Sequence, residues 1–469
     1  MPRIGLNERL FLTVDAAKLP QHVAALGTFT PPLGAGASFV DELAERFRAA
    51  ETFAAPFNYV LRSAALRRVA PAWRVLEDHE IDLGYHFRRH TLPAPGGELE
   101  FGELVSALHT ERLDWRRPLW ECHLIDGLEG GRFALYFKGH HALMDGVGGV
   151  KRYTQMVTAN QEDTALRPLW TVGPSTRTTR PGTGRERAAK PNPLRTSSEL
   201  LAARRDMKRN AKRPADPAIA APYAVPRTAI NGRLSEQRRI ATQTFDLPRI
   251  KTVASAAGVT VNDVFVTIVA GGLRSYLTEQ GDLPGKSLTA GTPVNVRAAG
   301  DDSTGNAFSM VLVKMFTDIA DPAERVRAVA RSSTIAKDDI RSRPKAVAAN
   351  YGALIGGSFV ANQLTGLAGR RPPPYNVTVS CIPGPAAPMY LGGARLEAIY
   401  PLACIYHGAT YFVASVSISG SFGVGFVGCP DTVPHVQRLA VHTGEALTDL
   451  ETALGVTAPA KEAHRDHNA

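Results

Sequence analysis

His140-His141-Ala142-Leu143-Met144-Asp145-Gly146 closes a strand-like run, Arg132 to Gly139 (RFALYFKG), and opens a glycine-rich, helix-like segment, Gly146 to Val157. Two histidines at the mouth of a strand, followed by Asp-Gly, point to one basic imidazole held in a fixed pose. Histidine accepts a proton near neutral pH without extreme tuning. Neighbouring strand side chains point to opposite faces, so one imidazole can face a cavity while the other packs into the scaffold. We read His141 as the cavity-facing base and His140 as its support, although the period of two does not itself choose between them. An isolated His-His pair more often closes a strand half-buried, with Asp-Gly as an ordinary turn. Zinc is a weaker alternative, because adjacent strand histidines diverge and no Cys or Glu stands nearby at a zinc-like spacing. His86 and His90 lie in an extended run (GYHFRRHTLP), where four residues span roughly 13 Å, too far to share an ion. No metal is expected.

Working outward, Trp120 to Asp126, the Gly130-Gly131 turn and Arg132 to Gly139 predict a hairpin that presents the two histidines. Phe39 to Ala50 and Glu103 to Leu113 have helical apolar spacing. From Thr171 to about Arg239 the composition shifts to Pro, Gly, Thr, Arg and Lys, a linker with a basic helix expected at Ser197 to Lys212. Thr260 predicts an N-cap, with Asp263 three residues on and apolar residues at helical spacing to Tyr276. Strands are expected at Leu288–Val296, Met310–Phe316, Tyr375–Ile382, Tyr411–Ile418 and Phe422–Val427, the last two joined at Gly420-Ser421. The chain thus divides into an N-terminal half (1–170) carrying the histidines, a basic linker (171–239), a C-terminal half (240–460) and a polar tail (461–469). Two α/β halves imply a cleft between them, and the base would line it.

The 469 residues are 44% hydrophobic and 21% charged, enough to bury a sizeable core. Four cysteines are scattered without a C-x-x-C unit, which fits a reducing compartment. The N-terminus lacks an apolar signal core, and no stretch approaches 18 uninterrupted apolar residues. A cytoplasmic protein is expected, soluble or peripherally attached at the inner membrane face or lipid droplets. Of the net charge of +10, a net +8 lies between Thr171 and Asp216, with twelve basic residues against four acidic. Such a segment can bind anionic lipid or nucleic acid; its commonest fate is a solvated linker. Nucleic acid is not expected as a partner, since charge is not accompanied by an aromatic-basic platform.

Further motifs follow in order: Arg117-Pro118-Leu119-Trp120-Glu121, Val261-Asn262-Asp263-Val264, Pro293-Val294-Asn295-Val296-Arg297, Gly305-Asn306 and Ser380-Cys381-Ile382-Pro383-Gly384-Pro385. With these, the chain from Leu6 to about Leu454 resembles the bacterial wax ester synthase/acyl-CoA:diacylglycerol acyltransferases. It departs at Cys381, where the family usually has Asn, and in its opening NERLFLTVD. The resemblance implies an α/β fold of two chloramphenicol acetyltransferase-like domains around a central substrate tunnel, joined by a crossover linker. It implies transfer of a long-chain acyl group from acyl-CoA, a substrate rather than a cofactor, to diacylglycerol or a long-chain alcohol.

In that reaction the resemblance makes His141 the general base and requires no acyl-enzyme; no G-x-S-x-G elbow supplies a serine nucleophile. The resemblance pairs Asp145 with Arg297, a bidentate contact that orients the loop ending in Gly146. It groups Asn262, Asp263, Pro118, Leu119 and Trp120 on the substrate side. Asn262 either donates an amide near the reacting oxygens or caps its helix. Pro118-Leu119-Trp120 reads more as packing that stiffens the strand entry than as chemistry. Two other readings stay open: a condensation-type enzyme using carrier-protein thioesters, and a catalytically silent lipid-surface protein. The choice between wax ester and triacylglycerol as main product is not legible.

Overall fold

The computed structural model describes residues 2, 4–144, 146–173, 205, 209–210, 212, 214–295, 308–342 and 356–456. Asp145, Arg297, Gly305-Asn306, the polar tail and most of the expected basic helix at 197–212 lie outside them.

Among the described residues, two six-stranded sheets carry the fold. The first contains β1 (His22–Thr30), β4 (Phe87–Thr91), β5 (Trp120–Leu128), β6 (Arg132–His140), β11 (Tyr390–Leu391) and β12 (Ala394–Leu402). Its order is β11-β12-β1-β6-β5-β4. A separate small hairpin pairs β2 (Tyr59–Leu61) with β3 (Trp73–Val75). The second sheet contains β7 (Arg239–Asp246), β8 (Thr289–Asn295), β9 (Phe308–Lys314), β10 (Val377–Pro383), β13 (Tyr411–Ile418) and β14 (Ser421–Gly428). Its order is β7-β14-β13-β10-β8-β9.

The expected β5–β6 hairpin forms, turned by Gly130 and Gly131 at φ 76° and 70°. The β13–β14 turn differs by one residue from its expected place. Ser419 and Gly420 take φ 53° and 81°, the two consecutive positive values that a tight hairpin requires, and Ser421 already belongs to the strand.

Helices α1 (Leu6–Val14), α2 (Phe39–Arg48), α3 (Leu83–His86), α4 (Glu98–Thr110) and α5 (Gly146–Met156) belong to the first half. Helices α6 (Leu247–Ala257), α7 (Val261–Glu279), α8 (Pro322–Ser342) and α9 (Val436–Ala453) belong to the second. The alternation along β6 sorts the layers. Phe133, Leu135 and Phe137 pack with Leu43 and Phe47 of α2 and Tyr153 of α5. Ala134 and Tyr136, on the other face, pack with Phe101, Val105 and Leu108 of α4 and with Phe412, Ala414 and Val427 of the second sheet. The far face of the second sheet is covered by α6 to α9 through Val253, Phe265, Val329 and Leu447. No single described helix is long and apolar enough to cross a membrane.

Sheet membership does not follow the sequence halves. Residues 390–402 return from the second half to the first sheet, where β12 pairs antiparallel with β1 (Leu26 opposite Tyr400). The backbone of β12 also lies directly on β14. A Cβ at Gly423 would stand 2.4 Å from the Ile399 carbonyl oxygen, and one at Gly425 2.4 Å from that of Pro401. Beside this contact Tyr400 Oη and Thr244 Oγ1 of β7 share a 2.8 Å hydrogen bond.

Gly425→Ala should therefore push β14 off β12 and cost about 1–3 kcal/mol, the usual cost of overpacking. Gly285→Ala, with no heavy atom within 4 Å of the added carbon, should stay within about 0.5 kcal/mol of wild type. Urea unfolding of the two variants tests the contrast.

Candidate active site

His140 ends β6 opposite His22 of β1. Its amide donates to the Leu119 carbonyl (2.9 Å), and its own carbonyl accepts from Leu143 (2.8 Å), which folds the chain into a turn. The His140 ring is buried. Nδ1 accepts from the Ala142 amide at 3.0 Å, which leaves the neutral ring's proton on Nε2. Nε2 stands 3.6 Å from Asp15 Oδ2, and the edge of Trp115 meets the ring at 5.2 Å. His140 therefore points into the scaffold.

His141 is half-buried. Its amide donates to the Gln21 carbonyl at 2.7 Å. Its ring lies on Phe11 of α1, centroid to centroid 3.9 Å and 13° from parallel. One hydrogen bond thus fixes the backbone, and one aromatic face fixes the ring plane.

Asp15, at the C-terminus of α1, ties these parts together. Its carboxylate accepts from the Gln21 amide (2.8 Å) and from Arg112 Nη2 (2.9 Å), while Arg68 donates to its carbonyl (2.8 Å). Burial pushes the Asp15 carboxyl up. The His140 imidazole, the Gln21 amide and Arg112 outweigh that and hold it below the ordinary carboxylate range. Gln21 is itself fully buried, and its Oε1 accepts from Tyr406 Oη at 3.0 Å. Phe11, Asp15, Gln21 and Arg112 were not singled out in the sequence. Their signal would have been a lone Asp closing an apolar helix, meaningful only once α1 is placed against β6.

Beneath the motif, the side chains of Pro118, Leu119 and Trp120 are buried. Trp120 stacks on His86 (4.3 Å) and Trp170 (5.4 Å) and donates from Nε1 to the Phe57 carbonyl (2.8 Å). The three are packed into the scaffold, and the Leu119 carbonyl holds the His140 amide. Two residues before His140, fully buried Lys138 donates to the Leu108 and Glu111 carbonyls (2.8 and 3.0 Å) and to Glu121 Oε2 (3.1 Å). Burial raises the Glu121 carboxyl, but His123 and Lys138 bring it down to about 2.

Asp263 is likewise a structural group. Its Oδ2 accepts from the amide (3.1 Å) and the hydroxyl (2.6 Å) of Thr260, and the Thr260 hydroxyl accepts from the Asp263 amide, a capping box at the start of α7. With the cap supplied by Thr260 and Asp263, Asn262 is not needed for it. Its Nδ2 is buried with no hydrogen-bond partner among the described residues.

Gly146 opens α5, where Ile382 of β10 approaches to 3.9 Å of the place a Cβ would occupy. Ile382 shares a cluster with Met144 and Val150, so the second sheet touches the motif there. Cys381 lies opposite Ser415 in the parallel register. Burial pushes the thiols of Cys381, Cys122 and Cys404 up, so none of the three is poised as a thiolate. His86 Nδ1 donates to the Trp120 carbonyl (2.7 Å), whereas His90 meets His123 (3.0 Å). Among the described residues no three His, Cys, Asp or Glu side chains converge as a metal site.

The family model described as the wax ester synthase/diacylglycerol acyltransferase catalytic domain matches residues 6–265, and the family's C-terminal domain matches residues 304–451. This chain belongs to the wax ester synthase/diacylglycerol acyltransferase family. A Mycobacterium tuberculosis (H37Rv) member, named probable diacylglycerol O-acyltransferase, is 37% identical across 96% of this chain and 99% of its own. The structure of the wax ester synthase/diacylglycerol acyltransferase from Marinobacter aquaeolei VT8 superposes with a TM-score of 0.75 at 31% identity, over 97% of this chain and 100% of that one. The first condensation domain of the calcium-dependent antibiotic synthetase has the same fold, with a TM-score of 0.56 at 16% identity over 97% and 96% of the chains. The two α/β halves of this family member thus share their fold with that condensation domain.

The buried histidines set its acid limit. Burial lowers His86 to about 4 and His109 to about 3. Each takes up its proton more readily in the unfolded chain than in the folded one. Stability should therefore fall as pH drops from about 6.5 toward 4, by about 1.4 kcal/mol per pH unit for each such group. Urea unfolding at pH 5, 6 and 7.5 measures the slope. His86→Phe should be less stable at pH 7.5 and flatter by about 1.4 kcal/mol per unit between pH 6 and 5.

Proposed function

We propose that this enzyme transfers a long-chain acyl group from acyl-CoA to the hydroxyl of diacylglycerol or a long-chain alcohol, with His141 as general base. The observation that supports the reading is the unlike use of the two histidines. His140 is spent on Ala142 and the Asp15 side of the scaffold, while His141 is presented with its amide clamped by Gln21 and its ring lying on Phe11.

In the reaction the acceptor oxygen attacks the thioester carbon as His141 takes its proton. The tetrahedral intermediate collapses, the C–S bond breaks, and the imidazolium returns the proton to the leaving thiolate. The raised cysteine thiols give no competing nucleophile, which favours direct attack over an acyl-enzyme. The free amide of Asn262 is assigned to a reacting oxygen. Asp145 and Arg297 are assigned to the pair that orients the loop, as the family resemblance implies. Because the acceptors are insoluble, the enzyme works at a membrane or droplet surface as a peripheral protein.

The test is purified protein with radiolabelled palmitoyl-CoA, offered hexadecanol and dioleoylglycerol together. Labelled ester is expected, and the ratio of wax ester to triacylglycerol gives the preference. His141→Ala should lower the rate by about 10²–10⁴ while the fold persists. Half-activity in that variant would overturn the mechanism. Product made only from carrier-protein thioesters would favour the condensation-type reading instead.

A further inference from the structure

The tip of the β2–β3 hairpin, residues 62–72, exposes large apolar side chains: Val69 is 81% and Leu66 53% exposed. Val75 of β3 is 48% exposed. The tip is ordered. The Ala70 and Val69 amides both donate to the Leu66 carbonyl (2.9 and 3.1 Å), and the Arg62 amide donates to that of Ala72 (2.9 Å). This single helical turn puts Leu66, Val69 and Ala70 on one face. Tyr59 to Val75 contains four arginines and no acidic residue; Arg74 is paired with Glu80 of the segment that follows (2.9 Å), which leaves Arg62, Arg67 and Arg68 as the tip's excess charge. Neighbouring α1 adds Glu8 and Arg9, which cancel.

The hairpin is rooted at the active site. Leu61 and Trp73 pack in one cluster with Leu12 of α1, Leu119 and the motif's Ala142. Arg68 donates to the Asp15 carbonyl (2.8 Å), and the Arg67 guanidinium lies 4.9 Å over the Trp115 ring. The same helix α1 stacks Phe11 on His141. Apolar side chains flanked in sequence by arginines suit a lipid–water interface, where the first enter hydrocarbon and the second meet phosphate head groups. A two-fold contact with a second copy would set three arginines against three, which electrostatics opposes.

We propose that the hairpin tip is the face by which this enzyme docks on anionic phospholipid bilayers, so that an acceptor dissolved in the bilayer enters beside His141. The proposal rests on the acyltransferase reading above.

Full-length wild type and Leu66→Glu/Val69→Glu are compared on phosphatidylcholine vesicles with and without phosphatidylglycerol, across salt. Wild type should bind the anionic vesicles, salt should weaken binding, and the double variant should lose at least about tenfold in partitioning. Transfer to dioleoylglycerol held in those vesicles should fall in parallel. CoA release with a short, soluble alcohol should stay within about twofold, which also shows that the variant is folded. In Val69→Trp, the new indole should blue-shift and be quenched by brominated lipid. Equal vesicle binding by the double variant, equal binding of wild type to neutral vesicles, or an unchanged indole spectrum would overturn the proposal. So would dissociation of a dimer by the same substitutions. Absent CoA release in wild type would instead overturn the acyltransferase reading, and the vesicle arm would still report on docking.

Discussion

The backbone contact between β12 and β14 is the constraint on which the rest of the molecule depends. β12 is hydrogen-bonded into the first sheet beside β1 while its carbonyls at Ile399 and Pro401 lie on Gly423 and Gly425 of the second. One strand therefore fixes the distance between the sheets. Because β1 pairs with β12 on one side and with β6 on the other, that distance is passed directly to the strand that ends in His140. The approach of Ile382 to the start of α5 is a second consequence, since β10 belongs to the sheet that β12 holds in place.

Electrostatics then finishes what packing begins. Asp15 is a buried carboxylate with two charge-assisted or amide hydrogen bonds and an imidazole nearby. A buried charge with that many partners is far more costly to disturb than a surface pair. Its partners are not arbitrary. Gln21 holds the His141 backbone, His140 is the preceding residue, and Arg112 follows α4. The pose of His141 is thus set by groups outside the histidine pair. The same logic recurs one step down the strand, where Lys138 and Glu121 satisfy each other inside the sheet layer.

What the sequence made legible was local. The β5–β6 hairpin, the capping box at Thr260 and the β13–β14 hairpin each carry their signal within a few residues, and each formed within a residue or two of its expected place. β1 and β12 carry no comparable signal. Both are buried on nearly every residue, so the two-residue alternation that marks a half-exposed strand is absent. The return of 390–402 to the first sheet is a long-range pairing, and nothing near those residues specifies it. The site divided in the same way. His140 and His141 stood out as a pair, but Phe11, Asp15 and Gln21 are more than a hundred residues away and become site residues only through α1. Trp120 and Asp263 lay inside motifs that suggested ligand contact, yet their burial and partners are those of packing and capping.

Satisfied and unsatisfied polar groups differ in what they can still offer a ligand. Trp120 has its carbonyl and Asp15 its cation, so each has spent its polar capacity on the fold. Asn262, one residue from Asp263, has a buried amide nitrogen with no partner among the described residues. Leaving such a donor unsatisfied costs about 1–3 kcal/mol. The helix does not require that cost, because Thr260 and Asp263 already cap it. An oxygen that arrives with the substrate would recover it, and most fully where negative charge gathers on that oxygen. A donor kept waiting in a dry site is stabilising at that moment alone, which is the condition for an interaction to speed a reaction rather than merely tighten binding.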